Sequence, residues 1–390
     1  DVLRAICLLM IFINHVPGNP LELFTSKNFG FSDAAEAFVL ISGIAAGFAY
    51  GRKFGVGEKL ATTLRAWRRA AVLYVAQIMT TVATLAIFSF FALAWSDPRL
   101  FDKINMARVM EDPARGILGL VTLGHQLGYN NILSMYAGIL IMLPAFLLIS
   151  RWRLWAMVAT SVGLWLIVGL TNFGPRTYPG AGFWFFNPLS WQVLFVIGIA
   201  CNMHIARGGT IPRSKPLMIL AAAYLVLACV WVWVPLWGYE RALGLPRVLG
   251  GFDKTFLSLP RLLPVFAAAY LIAVVPGLSA RFRLGFGHPL AVVGRHGLPI
   301  FVLGTLLAIT AQAFLTVTYA GTAMSIVIVL AGIGLHFGYA YYLEWVGRVT
   351  RGKAKSSSTG LAAVPPTPEQ NAAPKDLATA AKSPKGSVAN

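Results

Sequence analysis

The chain has 390 residues, of which 57% are hydrophobic and only 12% charged. One water-soluble core cannot hide that much apolar surface, so the composition excludes an ordinary soluble domain and predicts an all-α, polytopic integral membrane bundle. Lys and Arg number 32 against 14 for Asp and Glu, a formal net charge of +18. These basic residues fall between apolar runs, which fits membrane orientation and anionic headgroups and argues against a nucleic-acid partner.

The first predicted helix runs through Ala-Ile-Cys-Leu-Leu-Met-Ile-Phe-Ile-Asn, framed by Arg4 and His15. An ionisable side chain within a membrane helix is costly and marks a functional site by default. Eleven steps of about 100° complete about three turns, so Arg4 and His15 leave one face, roughly 16 Å apart along the axis. That is about half of a ~30 Å hydrocarbon core. Such a stripe suits a reaction whose donor arrives from one side and acceptor from the other. The plainer reading makes Arg4 an orientation anchor and His15 an interfacial residue ahead of Pro17. The sequence begins at Asp1 without Met, and the expectation is that native residues precede it, with no cleavable signal peptide to set aside.

The second helix opens on Ser32, Asp33 and Glu36. Ser32 or Asp33 can cap it, and acidic residues suit a helix N-terminus. Glu36, followed by the apolar run Ala37 to Ile41, is less well explained that way. A carboxylate beside His15 would hold its tautomer and stabilise the imidazolium of a general base. Gly43, Gly47 and Gly51 recur every four residues and predict close helix approach, expected here to bring this helix against the first and Glu36 towards His15.

Further spans are predicted around Val82, Leu140, Leu164, Val196, Leu225, Ala268, Leu306 and Val329, about ten transmembrane helices in all by the length rule. Basic loops around Arg52 to Arg69, Arg151 and Arg153, Arg207 to Lys215, and Arg281 and Arg283 alternate with less basic ones, which places both termini in the cytoplasm. The mixed segment from Asp97 to Arg115 reads as an interfacial helix. Between spans lie polar clusters: His125, Gln126, Asn130 and Asn131 before the fourth, Asn187, Trp191 and Gln192 at the sixth, Lys254 and Arg261 before the eighth. Amides, His and aromatic faces suit a sugar, which offers hydroxyls and apolar CH faces; the aromatics alone also fit an interfacial belt. Before the ninth helix, Arg295 and His296 fit either an anionic donor such as a coenzyme A phosphate or another cytoplasmic anchor. Cys7, Cys201 and Cys229 lie in apolar runs and offer neither zinc spacing nor a disulfide framework; no metal motif is present. The chain divides into 1–348, transmembrane, and 349–390, a Ser/Thr/Ala/Pro/Lys tail expected to be disordered and cytoplasmic.

Arg, ten residues, then His in a first helix resembles the signature of the acyltransferase-3 family of membrane O-acyltransferases. Ile13-Asn14-His15-Val16-Pro17-Gly18-Asn19 and Asn28-Phe29-Gly30-Phe31-Ser32-Asp33-Ala34-Ala35-Glu36 resemble its OpgC branch. So do Gly124-His125-Gln126 with Asn130-Asn131-Ile132-Leu133, Phe186-Asn187-Pro188 with Trp191-Gln192, Lys254-Thr255 with Leu257-Ser258 and Arg261-Leu262-Leu263, and Gly294-Arg295-His296-Gly297-Leu298-Pro299. The likeness runs from about residue 1 to 345; Pro264, where this branch is expected to carry His, departs from it. The resemblance implies succinyl transfer to osmoregulated periplasmic glucans in the inner membrane of a Gram-negative bacterium.

The combined expectation is a membrane O-acyltransferase with no bound cofactor. Succinyl-coenzyme A, or a related acyl-CoA, is its co-substrate, met by Arg4, Arg295 and His296. His15 is the base, oriented by Glu36 or Asp33, and His125, Gln126, Asn130, Asn131, Asn187, Trp191, Gln192, Lys254 and Arg261 hold the glucan. Besides the bilayer, glucan-synthesis proteins are candidate partners. The alternative is a transporter or flippase for a glucan or lipid-linked sugar, since about ten helices with buried polar residues suit that role as well.

Overall fold

In a computed structural model, residues 1–234, 236–240 and 244–360 are described. Ten principal helices follow one another: α1 (Val2–His15), α2 (Ala34–Ala46), α3 (Lys59–Trp95), α4 (Ile132–Trp152), α5 (Leu154–Thr171), α6 (Pro188–Ala206), α7 (Lys215–Trp233), α8 (Leu259–Val274), α9 (Gly297–Thr318) and α10 (Thr322–Gly360). Every predicted span has its helix. Among the described residues, eight apolar stretches are long enough to cross a membrane, including Ala34–Phe54, in which α2 continues through a π-helical turn at Gly47–Gly51. The apolar helices α1 and α8 are shorter. Among the described residues the strand-like feature is one isolated antiparallel bridge, Arg176 with Phe183.

The chain divides into two units, Asp1–Leu343 and a second that begins at Glu344. Residues 349–360, expected to be structureless, are helical, because α10 continues to Gly360; extending an existing helix costs far less than nucleating one, and Pro365 is the first proline beyond. The rest of the expected tail, 361–390, lies outside the described residues.

Helix α6 is the centre of the first unit. Trp191, Leu194, Phe195, Val196 and Ile199 are fully buried, and α2, α4 and α5 pack around it. The α2 glycines explain one of these contacts and correct an expectation. A Cβ at Gly43 would collide with the Phe195 backbone carbonyl, one at Gly47 with the Asn202 side chain, and one at Gly51 would crowd Met203. All three partners are on α6, so the glycine stripe seats α2 on α6 rather than on α1. Gly198 completes the crossing from the other side, lying against the Leu40 carbonyl and the Ile44 amide.

The segment between Asp97 and Arg115 is not one interfacial helix. It contains short helices Arg99–Lys103 and Ala107–Glu111, followed by Pro113–Val121. Pro98 and Pro113 and the left-handed Asn105 (φ 61°) divide it. Leu100, Ile104, Met106 and Val109 there join Phe88 of α3 and Ile309 of α9 in a separate apolar cluster.

Two helix irregularities are resolved by side chains, as a low-dielectric setting requires. Pro264, inside α8, has no N–H for the Pro260 carbonyl; the Tyr224 hydroxyl of α7 donates to that carbonyl at 3.3 Å. Helix α1 stops at His15 because Val16 precedes Pro17 and takes an extended conformation (φ −89°, ψ 113°). Asn19 Nδ2 then donates to the carbonyls of Val16 (2.5 Å) and of Ile13 (3.0 Å), the latter also accepting from the Val16 amide at 3.3 Å, at a helix end whose last carbonyls lack the regular helical donors.

Candidate active site

Positions 4, 8, 11 and 15 of α1 form one stripe, and each lines a cavity. The cavities lie at opposite ends of the helix. The one at the His15 end, of about 230 Å³, is lined by Asn14, His15, Lys27, Asp33, Tyr129, Asn131, Phe185, Phe186 and Lys254, among others. The one at the Arg4 end, of about 220 Å³, is lined by Arg4, Ser42, Tyr50, Arg69, Tyr136 and Arg295 with an apolar remainder.

His15 Nδ1 lies 2.5 Å from the Ile11 carbonyl oxygen. That oxygen only accepts, so Nδ1 carries the proton and a neutral ring keeps its lone pair on Nε2, the form a general base needs. The ring meets Tyr129 edge-on at 4.2 Å between centroids. Asn14, beside it, accepts from the Thr25 hydroxyl at 2.6 Å. Lys27 pairs with Glu22 at 2.8 Å.

The acidic residues divide their contacts. Glu36 is fully buried and accepts from Arg261 Nε at 2.8 Å and Nη2 at 2.5 Å. Its other oxygen accepts from the Asp33 backbone amide at 3.0 Å, closing a capping box. Glu36 therefore faces Arg261 and lines neither cavity. Asp33, the helix cap, shares the His15 cavity and forms an ion pair with Lys254 Nζ through Oδ2, with Arg261 Nη2 3.8 Å from the same oxygen. Lys254 also stands over the rings of Phe185 (5.8 Å) and Phe186 (5.4 Å).

Most of the amides expected to hold a sugar make hydrogen bonds within the fold. Burial lowers the pKa of His125, and its neutral ring donates from Nε2 to the Asn105 carbonyl at 2.8 Å. Gln126 donates to Ser134 Oγ at 2.9 Å, and Asn130 Nδ2 donates to Thr81 Oγ1 at 3.1 Å while the Asn130 main-chain carbonyl accepts from Gln77 at 2.6 Å. These bonds fix the turn that presents Tyr129 and Asn131, and Asn131 does line the cavity. Asn187 caps α6 and donates to the Phe173 carbonyl at 2.8 Å. Gln192 is engaged with Ser161 on α5. Trp191 Nε1 donates to the Lys254 carbonyl at 2.9 Å, and the Asn187 amide to the Thr255 carbonyl at 3.2 Å. Asn187 and Trp191 thus hold the loop from which Lys254 reaches the cavity.

At the Arg4 end, Arg4 Nη1 donates to the Gly294 carbonyl at 3.2 Å, tying α1 to the segment that carries Arg295. Arg295 Nη1 donates to the Phe286 carbonyl at 2.6 Å and stacks on that ring. His296, at the start of α9, does not line the cavity, whereas Gly297 and Leu298 beside it do. Arg69, Tyr50 and Tyr136 do line it and were not singled out from sequence. Arg69 belongs to a dense basic run that looks like an orientation signal; its place in the Arg4 cavity depends on how α3 packs. Lys27 and Tyr129 were missed for the same reason, since loop paths have no sequence period.

A family model described as OpgC protein matches residues 1–348. The chain belongs to the OpgC family. Membership supports an OpgC-like, glucan-modifying function for a protein with these membrane-spanning helices. No curated protein and no solved structure matches the chain. The OpgC match covers both cavities and the whole of the α1 stripe.

Proposed function

We propose that this OpgC-family chain is an inner-membrane O-acyltransferase that moves an acyl group, succinyl from succinyl-coenzyme A, to hydroxyls of osmoregulated periplasmic glucans. The observation that carries the reading is the division of labour along α1. Arg4 stands with Arg69 and Arg295 in one chamber, and His15 with Asp33 and Lys254 in the other. Three guanidiniums suit the phosphates of coenzyme A, which arrives from the cytoplasm, so the Arg4 end faces inward and the termini are cytoplasmic. Asn14, Asn131, Tyr129 and Phe185 offer the amide and ring surfaces a sugar uses.

In the proposed reaction His15 Nε2 takes the proton of a glucan hydroxyl. The oxygen attacks the thioester carbonyl, and the resulting tetrahedral oxyanion collapses. The C–S bond breaks, the acyl–oxygen bond remains, and the coenzyme A thiolate leaves and recovers the proton from the imidazolium. The Ile11 carbonyl holds the ring's tautomer, and Asp33 contributes negative charge to the chamber where the imidazolium forms. An acyl-His15 intermediate is the second chemical route, and labelled donor without acceptor separates them: label retained on His15 argues against direct transfer. Glu36, turned to Arg261, has a positioning role for Asp33.

The test is His15→Ala, assayed by mass spectrometry of periplasmic glucans. Acylation should fall by roughly 10²–10⁴-fold, the range for losing a general base, with protein level and glucan amount unchanged. Glucan missing from the periplasm would favour a transporter, and unchanged acylation would remove His15 from the mechanism.

A further inference from the structure

Among the described residues, Ile132 and Phe301 are the two that line both cavities. Ile132 opens α4, and Phe301 lies in the first turns of α9. Both are buried. Neither side chain has a hydrogen-bonding group, and Phe301 is stacked on Phe38 of α2 with centroids 6.4 Å apart and planes at 25°. At these two residues the partition between an arginine-lined space and a histidine-lined space is therefore apolar. It also has open volume on both faces. A ring hemmed in by a close-packed core cannot turn without displacing its neighbours; one bounded by cavities has room to do so.

We propose that Phe301 and Ile132 form an apolar closure between a donor chamber and an acceptor chamber, and that the side chain at 301 sets the width of the passage through which the acyl group reaches His15. The inference rests on the acyltransferase reading for what passes, but not for the closure itself. A through-going polar opening would let ions and water cross the membrane, and an apolar constriction prevents this by excluding water. The succinyl end of the thioester is slim, and Lys27 and Lys254 line the His15 cavity where its terminal carboxylate arrives. The succinyl end can displace a ring that hydrated ions leave in place. The phosphates stay behind with Arg4, Arg69 and Arg295, so only the acyl end crosses.

The experiment reads the closure without the reaction. Cys7, Cys201 and Cys229 are replaced, and Ala45, which lines the Arg4 cavity, is changed to Cys. A membrane-impermeant methanethiosulfonate reagent is then applied from the His15 face of oriented vesicles. With Phe301 present the reporter should stay unmodified. In Phe301→Ala modification should accelerate by roughly tenfold or more as the constriction wets, and in Phe301→Trp it should stay absent while acyl transfer declines. Labelling of the same cysteine from the Arg4 face shows that each variant is folded, and Ile132→Ala, expected to open the partition from the α4 side, serves if Phe301→Ala fails that control. Equal labelling with and without Phe301, or no labelling in either opened variant, would overturn the proposal. Labelling that follows side-chain size while acyl transfer ignores it would keep the closure and remove the acyl route.

Discussion

Arg261 holds Glu36 through two guanidinium nitrogens in a buried setting, and the energetics of that pair separate it from Asp33. Removing one partner of a buried ion pair leaves a charge without compensation, at a cost of about 3–5 kcal/mol. Arg261→Met strands the fully buried Glu36, whereas Glu36→Gln leaves Arg261 a second carboxylate, Asp33, at 3.8 Å. Melting temperatures in detergent should therefore fall most for Arg261→Met, and adding Glu36→Gln to it should restore part of the loss. A double variant showing the full sum of both losses would mean the pair is not coupled. Asp33→Asn should behave differently. Asn caps a helix as well as Asp does, so the protein should stay folded while the negative charge beside His15 and Lys254 is lost. Glucan acylation should drop by about 10²-fold, with a smaller fall in melting temperature than Arg261→Met gives, because the Lys254 left without its partner is partly exposed. Spacing alone could not divide these roles. Asp33 and Glu36 are three apart, but Asp33 lies outside the helix with φ −113° and ψ −170°, so the same-face rule for helical neighbours does not apply to it.

Helix α2 holds its register because Gly43, Gly47 and Gly51 leave out the atoms that would keep it from α6, the first two at the closest approaches. At Gly43 the obstacle to a Cβ is the Phe195 main chain, which cannot move aside; at Gly47 it is the Asn202 side chain, which can. Gly43→Ala should cost about 1–3 kcal/mol or more, in the range for overpacking, and Gly47→Ala less, as read by thermal unfolding in detergent. Equal effects would mean that the α2–α6 crossing is looser than the main-chain approach implies. The spacing of four was legible in the sequence, and so was the consequence that some helix comes close. Which helix it is depends on Gly198, far along the chain and without a period linking it to Gly43. The same limit explains the polar clusters. His125, Asn130, Asn187 and Gln192 stand out against an apolar background because buried amides need partners; that requirement alone does not distinguish a residue holding a loop from one facing a ligand. Trp191 is the clearest instance, since its Nε1 ends on the Lys254 main chain while the Lys254 side chain enters the cavity.

Across the whole molecule, α1 links two spaces of opposite character. Its stripe was readable before any fold was known, because helical periodicity fixes which side chains share a face; the partners supplied by α3, α4, α9 and the loops were not. The separation has a kinetic consequence. Sites that share few contacts respond independently to substitution, so with succinyl-coenzyme A and glucan varied in turn, Arg69→Gln should raise the donor KM and leave the acceptor KM unchanged. Tyr129→Ala and Phe185→Ala should do the reverse. Arg69 contributes charge and Tyr129 ring surface, so the donor KM should also rise with ionic strength as screening shortens the reach of the guanidiniums to about 8 Å at 0.15 M and about 3 Å at 1 M. The acceptor KM, set by hydrogen bonds and ring faces, should stay nearly flat over the same range. Donor and acceptor constants that move together in every variant and with salt would indicate one continuous site. They would leave the two ends of α1 without separate work.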